Sequence, residues 1–309
     1  MIKLSFNHLL DAAQIQESDI KKLITLAEKF RKAGYKKTFA AGDCKGSILS
    51  TLFFEPSTRT RFSFESAMLR LGGQVITLEY GDSSSVKKGE TLSDTGRILS
   101  NYADVIVARH HEIGSVAEIA KYATVPVINA GDGANQHPTQ SLVDLYTIFC
   151  EKKKLNNLSI GVLGDLKHSR TVHSLLTLMS RYPNNHFTLI SHPSLALDAK
   201  KKKSFTRHGC KITETSDLES VIKDLDILYV TRVQQERFTD KKEFEKVKNI
   251  FCINKKNLTK AKKNLTIMHP LPRINEIEEE VDHLPQAKYF AQASYGVYIR
   301  MALLSLIIK

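Results

Sequence analysis

The sequence predicts an α/β protein made of two doubly wound parallel-sheet domains with an active-site cleft between them. Three observations carry that reading. Short apolar runs rich in β-branched and aromatic residues alternate with longer segments of helical periodicity from end to end, the pattern of parallel sheets covered by helices. The alternation comes as two series, separated by one helical stretch at 139–152. The chain of 309 residues is long enough for two domains of ordinary size, and open sheets bind ligands at their strand ends, so a crevice served by both sheets is the expected place for a site.

The first series opens after an N-terminal helix at about 19–32. Residues 48–54 are apolar and mostly β-branched or aromatic, and a run so short favours a buried strand over a helix. Phe64, Ala67, Met68 and Leu71 then recur at i, i+3, i+4 and i+7, one apolar helical face, and Gly72-Gly73 stops it. Further strands are expected at 75–78, 105–108 and 125–129. A helix opens at Thr91, which has capping-box spacing to Asp94. Leu142, Leu145, Tyr146 and Phe149 give 139–152 an apolar face and make it the connection between domains. The second series places strands at 160–163, 187–190, 227–230 and 266–268, and a last helix at 296–308 is expected to pack back on the first domain. Domain boundaries at 1–138 and 139–291 follow, with 292–309 returning to the first. No short-period repeat or low-complexity tract interrupts this order.

Composition excludes several classes. At 42% hydrophobic and 25% charged residues, disorder is not the default. No run approaches the roughly 18 apolar residues of a membrane span; the longest candidate, 301–308, is broken by Ser305. The N-terminus lacks a signal-peptide apolar core with a cleavage site, so a cytoplasmic protein is expected. Cys44, Cys150, Cys210 and Cys252 are far apart and show no metal-ligand spacing, which argues for reduced structural thiols. The Asn-x-Ser/Thr triplets at Asn157, Asn257 and Asn264 are then chance matches. Lysine and arginine exceed aspartate and glutamate by 45 to 33, a net charge of +12. The lysines lie in scattered pairs and short runs without interleaved aromatics or a nucleic-acid-binding signature, so no nucleic acid and no membrane partner is expected. The excess charge would still steer a polyanionic small molecule.

The chemistry concentrates in loops that follow strands. In FFEPSTRTRFSFESA (53–67) the cluster Ser57, Thr58, Arg59, Thr60 and Arg61 sits on a strand-to-helix turn. There the first helical N–H groups lack partners and the macrodipole favours an anion. Hydroxyls add donors, and a guanidinium offers a planar fork matched to phosphate or carboxylate oxygens. GDSSSVKKGE (81–90) is a polar loop bearing Ser84, Lys87 and Lys88. Its Ser-x-x-Lys matches the serine β-lactamases by letter only, because their partner motifs are absent. Arg109 leaves a strand end. GDGANQHPTQ (131–140) is a Gly-rich turn that presents His137 and Gln140 where the connecting helix starts; an imidazole can hydrogen-bond a carbonyl oxygen and an amide can bind an amino group. GVLGDLKHSRT (161–171) lacks the spacing of a dinucleotide fingerprint and puts Arg170 at a helix start. TRVQQER (231–237) supplies Arg232, Gln234 and Arg237, and HPLPR (269–273) has a backbone stiffened by two prolines that can aim carbonyls. Many cationic donors, one placed histidine and no metal or nucleophile set suit binding and polarising a polyanion, with no metal and no cofactor.

These motifs, in this order and over essentially the whole chain, resemble the catalytic chains of the aspartate carbamoyltransferase family. Ser-Thr-Arg-Thr-Arg alone marks carbamoyltransferases in general, and HPLPR with the Ser/Lys-Lys loop favours the aspartate branch over the ornithine branch. The resemblance implies transfer of a carbamoyl group from carbamoyl phosphate to L-aspartate in pyrimidine synthesis. Carried over motif by motif, Ser57, Thr58, Arg59 and Thr60 would hold the phosphate, and Thr60, Arg109 and His137 would polarise the carbamoyl oxygen. Gln140 and the backbone carbonyls of Leu271 and Pro272, joined by a cis peptide, would orient the carbamoyl NH2. Arg170, Arg232 and Gln234 would take the aspartate carboxylates. Lys88 is implied to be shared between substrates, with Ser84 and Lys88 reaching a neighbouring subunit's site. The resemblance thus implies a homotrimer with shared sites and leaves open a larger assembly with regulatory chains. Glu55, Arg170 and Arg237 match positions whose ion pairs hold the domains closed. The proton leaving the amine has two candidate acceptors, the departing phosphate and Lys88.

Overall fold

The computed structural model describes residues 3–34, 44–79, 89–235, 238 and 240–308. The chain divides into two compact units, Met1–Val143 with Ala293–Lys309, and Asp144–Gln292.

In the first unit the described strands β1 (Ile48–Phe53), β2 (Gln74–Glu79), β3 (Val105–His110) and β4 (Val127–Asp132) form one sheet in the order β2-β1-β3-β4, every pair parallel. Helix α1 (Glu17–Ala33) precedes the sheet; α2 (Thr58–Arg70), α3 (Leu92–Leu99), α4 (Ser115–Tyr122) and α5 (Pro138–Lys152) follow the four strands in turn. Buried Leu52, Phe54, Ile106, Ala108, Val116 and Ile119 pack as one cluster on this sheet. The Thr91 hydroxyl caps α3 by accepting from Asp94 N at 3.1 Å, while the Asp94 carboxylate takes Arg97 Nη1 at 3.3 Å.

In the second unit β5 (Ser159–Leu163), β6 (His186–Ile190), β7 (Lys211–Thr215), β8 (Ile227–Val230) and β9 (Thr266–Met268) run parallel in the order β7-β6-β5-β8-β9. Helices α6 (Arg170–Met179), α7 (Ala199–Ser204), α8 (Leu218–Val221) and α9 (Lys241–Val247) lie between them, and α10 (Tyr289–Ile307) closes the chain. Leu163, Ile190, Leu228, Val230, Ile253 and Ile267 anchor its core. All four cysteines are thiols.

Several expectations are corrected. β4 starts at Val127 and ends at Asp132, so the first residues of the presumed Gly-rich turn belong to a strand. α4 begins after Gly114 in the left-handed region (φ 85°), with no N-cap side chain to announce it. β7 escapes the sequence because Lys211, Thr213 and Glu214 leave it largely exposed; only its pairing with β6 (His186 opposite Lys211) defines it. α10 starts at Tyr289 instead of 296 and, at 19 residues, is long and apolar enough by length and composition to cross a membrane. More than half of it is buried within the protein. Arg300, near its middle, donates to Ser63 Oγ at 2.8 Å and lies over the Phe64 ring, which suits a helix docked on α2.

Candidate active site

Sheet order decides where each unit can hold a ligand. In the first, β1 is followed outward by β2 on one side and β3 on the other, so the crevice at a strand-order reversal lies beyond the ends of β1 and β3. The Ser57 turn follows β1, and Arg109 is the second-last residue of β3, opposite Phe53 in the register. The side chains meet: Arg109 Nε donates to Glu55 Oε2 at 3.0 Å and Nη1 donates to Ser57 Oγ at 3.1 Å. Beyond Ser57 the chain turns into α2, whose first intrahelical bond runs from Arg61 N–H to Ser57 O (3.1 Å). The N–H groups of Thr58, Arg59 and Thr60 precede that bond, at the positive end of the helix dipole. Thr60 is buried, whereas Thr58 and Arg59 are exposed. Arg61, the fifth member of the cluster, turns back along α2 to Glu65 (3.5 Å) and over Phe62.

The turn after β4 is organised by a residue that sequence reasoning missed. Asp132 Oδ1 accepts from Asn129 Nδ2 (2.8 Å) and Gln136 N (3.2 Å), and Oδ2 accepts from Asn135 Nδ2 (3.0 Å) and Gly114 N (3.1 Å). This buried carboxylate folds 132–136 into a tight return and delivers His137, 4% exposed, to the start of α5. Gln140, half-buried, lies one turn on.

The second unit repeats the logic at β5 and β8, where its strand order reverses. Gly164 leaves β5 with φ 116°, and a Cβ there would stand 2.1 Å from Thr231 O. This close approach lets the loops after β5 and β8 run together: Thr231 N–H donates to Leu163 O at 2.9 Å, and Gln234 N–H to Asp165 Oδ2 at 3.3 Å. Asp165, fully buried, also accepts His168 N–H at 3.0 Å, so one carboxylate ties the loop that leads to Arg170 to the loop that carries Arg232 and Gln234. Sequence reasoning passed over it as well. Its signal was present in the Gly-Asp that follows a strand. A cavity of about 370 Å³ opens beside this region, lined by Arg232, Gln235, Phe244, Lys248, Asn275 and Glu276 among others. The neighbouring strand β9 ends at Met268 with His269 next in the chain, and the Leu271–Pro272 peptide beyond it is cis, with Leu271 at φ 54°. Ser84, Lys88 and Arg237 lie outside the described residues.

The structure therefore brings Glu55, Ser57 and Arg109 into contact in one unit and gathers the loops of Arg170, Arg232, Gln234 and Leu271-Pro272 at one sheet end in the other. Among the described residues no group of three His, Cys, Asp or Glu side chains could hold a metal ion.

Two family models match. The carbamoyl-phosphate-binding domain of aspartate/ornithine carbamoyltransferases matches residues 7–149, and the Asp/Orn-binding domain of the same enzymes matches 156–307. This chain belongs to the aspartate/ornithine carbamoyltransferase family. Within the family it is 48% identical over 301 residues to the aspartate carbamoyltransferase catalytic subunit of Clostridium kluyveri, covering 97% of each chain. It is 47% identical over 308 residues to that of Alkaliphilus oremlandii, covering 99% of this chain and 92% of the other. The solved catalytic subunit of M. jannaschii aspartate transcarbamoylase superposes with a TM-score of 0.91 at 45% identity over 98% of both chains. The Trypanosoma cruzi aspartate transcarbamoylase in complex with carbamoyl phosphate gives a TM-score of 0.92 at 38% identity, covering 98% of this chain and 96% of that one. The family match accounts for both sets of loops at once.

Proposed function

We propose that this protein is an aspartate carbamoyltransferase, converting carbamoyl phosphate and L-aspartate to N-carbamoyl-L-aspartate and phosphate in pyrimidine synthesis. The observation that carries the reading is the constellation at β1 and β3: an anion-binding helix start next to a guanidinium fixed by Glu55 and Ser57. A fork held in place before the substrate arrives costs little reorganisation when charge develops, which is how charge stabilisation lowers a barrier.

The aspartate amine attacks the carbamoyl carbon, a C–N bond forms, the bond to the phosphate oxygen breaks, and the amine's proton passes to one of its two candidate acceptors, the departing phosphate or Lys88. Charge grows first on the carbamoyl oxygen, where Thr60, Arg109 and His137 act, and then on phosphate, held by Ser57, Thr58, Arg59 and Thr60. Gln140 and the carbonyls of Leu271 and Pro272 accept from the carbamoyl NH2. Arg170, Arg232 and Gln234 take the acceptor's two carboxylates, and Lys88 serves both substrates. No covalent enzyme intermediate and no metal is needed. The carbamoyl-phosphate domain comprises 1–138 together with 292–309, which includes most of α10, and the aspartate domain 139–291. Ion pairs of Glu55, Arg170 and Arg237 hold the domains closed. The active form is a cytoplasmic homotrimer in which Ser84 and Lys88 complete a neighbour's site. Relatives named as catalytic subunits are compatible with regulatory chains.

The deciding experiment is a paired assay of phosphate release from carbamoyl phosphate with L-aspartate or L-ornithine as acceptor. Arginines at 170 and 232 repel an ammonium side chain, so release is expected with aspartate alone. Turnover with ornithine and none with aspartate would reverse the assignment.

A further inference from the structure

The turn after β9 is bonded on every side. His269 is 2% exposed, and its Nδ1 accepts the Leu271 N–H at 2.7 Å. A ring nitrogen that accepts carries no proton, so the neutral ring's proton is on Nε2, which donates to Glu276 Oε1 at 2.7 Å. Burial favours that neutral ring by lowering its pKa, against the pull of Glu276. For Glu276 burial acts upward, but the bond from His269 and backbone N–H groups outweigh it and hold the carboxyl below its usual range. Its other oxygen accepts the N–H groups of Ile274 (3.1 Å) and Asn275 (3.2 Å). On the opposite side His269 N–H donates to Gln292 Oε1 at 2.9 Å, and Gln292 Nε2 donates to Asp144 Oδ1 at 2.7 Å. Asp144 is fully buried and accepts the Tyr229 hydroxyl at 3.0 Å with Oδ2. Between these anchors Leu271 sits at φ 54°, a left-handed conformation that residues with side chains seldom adopt. Something must hold it there, and the bond to His269 Nδ1 is made by Leu271 itself.

We propose that His269 is a positioning residue for the carbamoyl group, its Nδ1 fixing the backbone turn from which the Leu271 and Pro272 carbonyls receive the carbamoyl NH2. Glu276 orients the ring, and Gln292 holds the strand end that bears it. The inference rests on the carbamoyltransferase reading above and adds a residue that never touches substrate.

The test is calorimetric binding of freshly dissolved carbamoyl phosphate and of inorganic phosphate to the whole chain, in wild type and in His269→Ala, His269→Asn and His269→Gln. Both ligands offer phosphate oxygens, and carbamoyl phosphate alone offers an NH2. His269→Ala is expected to weaken carbamoyl phosphate about ten-fold, the scale of one lost hydrogen bond in a buried turn, and to leave phosphate nearly unchanged. His269→Asn places an amide oxygen where Nδ1 stood and restores most of the preference; His269→Gln reaches past it and does not. If the alanine variant does not fold, the Asn and Gln variants, which keep a polar side chain there, decide the matter. Equal weakening of both ligands, or Asn and Gln variants with the same preference, overturns the proposal. Wild-type protein that shows no preference for carbamoyl phosphate and no turnover with aspartate strikes the functional reading instead. Normal wild-type behaviour with unaltered variants strikes only the role of His269.

Discussion

His173 ties acid stability to the same helix that carries Arg170. It lies one turn into α6 and is 6% exposed. Its Nε2 meets the Leu166 carbonyl at 2.9 Å and its Nδ1 meets Lys201 Nζ at 3.1 Å. An ammonium can only donate, so Nδ1 accepts and the ring is neutral with its proton on Nε2. Burial, and then the Lys201 charge, lower its pKa from 6.5 to about 4. An unfolded chain takes up this proton near pH 6.5 and the native chain only near 4, so between those values the unfolded state binds more protons. Stability therefore falls as pH drops through that window and is undiminished above it. The cost is about 2 kcal/mol at pH 5 and about 3 kcal/mol once both states are protonated. His173→Gln removes the titration and keeps an N–H that can reach Leu166. Urea unfolding of wild type and variant at pH 8 and pH 5 gives the comparison. Other groups with lowered pKa, such as His8, His110 and Glu276, act in both proteins and cancel. The wild type should lose about 2 kcal/mol more than the variant between the two pH values. A difference indistinguishable from zero would refute the reasoning.

Two further outcomes are expected. Gly164→Ala drives a Cβ against Thr231 O, 2.1 Å away, at a φ that disfavours any side chain. Since that carbonyl belongs to the backbone, the loops must part. The aspartate KM should then rise about ten-fold or more, as misplacement of binding groups does elsewhere, and by more than the KM for carbamoyl phosphate, whose phosphate is held in the other unit. Steady-state kinetics with each substrate varied separate the two. Arg59→Ala removes an exposed guanidinium, so the melting temperature should hold while turnover falls by about 10²-fold or more, the scale for losing a charge-stabilising donor. A thermal melt beside a phosphate-release assay checks both halves, and near-normal turnover would remove Arg59 from its assigned role.

Most of the architecture was legible because buried parallel strands are written as local apolar runs. The segments at 48–54, 105–108, 160–163 and 227–230 all fall on observed strands. β7 was not legible: an edge strand of Lys-Ile-Thr-Glu-Thr has one face in solvent, and its partner β6 is a property of the sheet. The start of α10 was missed for a related reason. Its first turn, Tyr289 to Gln292, mixes buried Tyr289 and Gln292 with exposed Phe290, so apolar periodicity begins only later. The candidate site divides the same way. Loops dense in donors were visible as polar clusters after strands. Asp132 and Asp165 were not singled out, because what sets them apart is the one remote backbone N–H that each also binds, Gly114 for Asp132 and Gln234 for Asp165, and a short Asp-containing loop does not display that partner.

Register explains why residues remote in sequence work as one set. Ser57 and Arg109 are joined at 3.1 Å because β1 and β3 are adjacent, parallel and aligned with Phe53 opposite Arg109. A slip of one residue in β3 would turn Arg109 to the other face of the sheet and bury a charge where Ala108 now packs. The continuous apolar run of β3, buried from Val105 to Ala108, thus also sets where the guanidinium emerges. The same holds in the second unit. Leu163 opposite Val230 and Tyr229 opposite Met268 bring three strands to one edge, and the loops that follow must lie side by side. Parallel pairing places helix starts, with their unpaired N–H groups, at that same edge. An anionic substrate is attracted there by the backbone before any side chain contributes, and the arginines add specificity to a site the topology already favours.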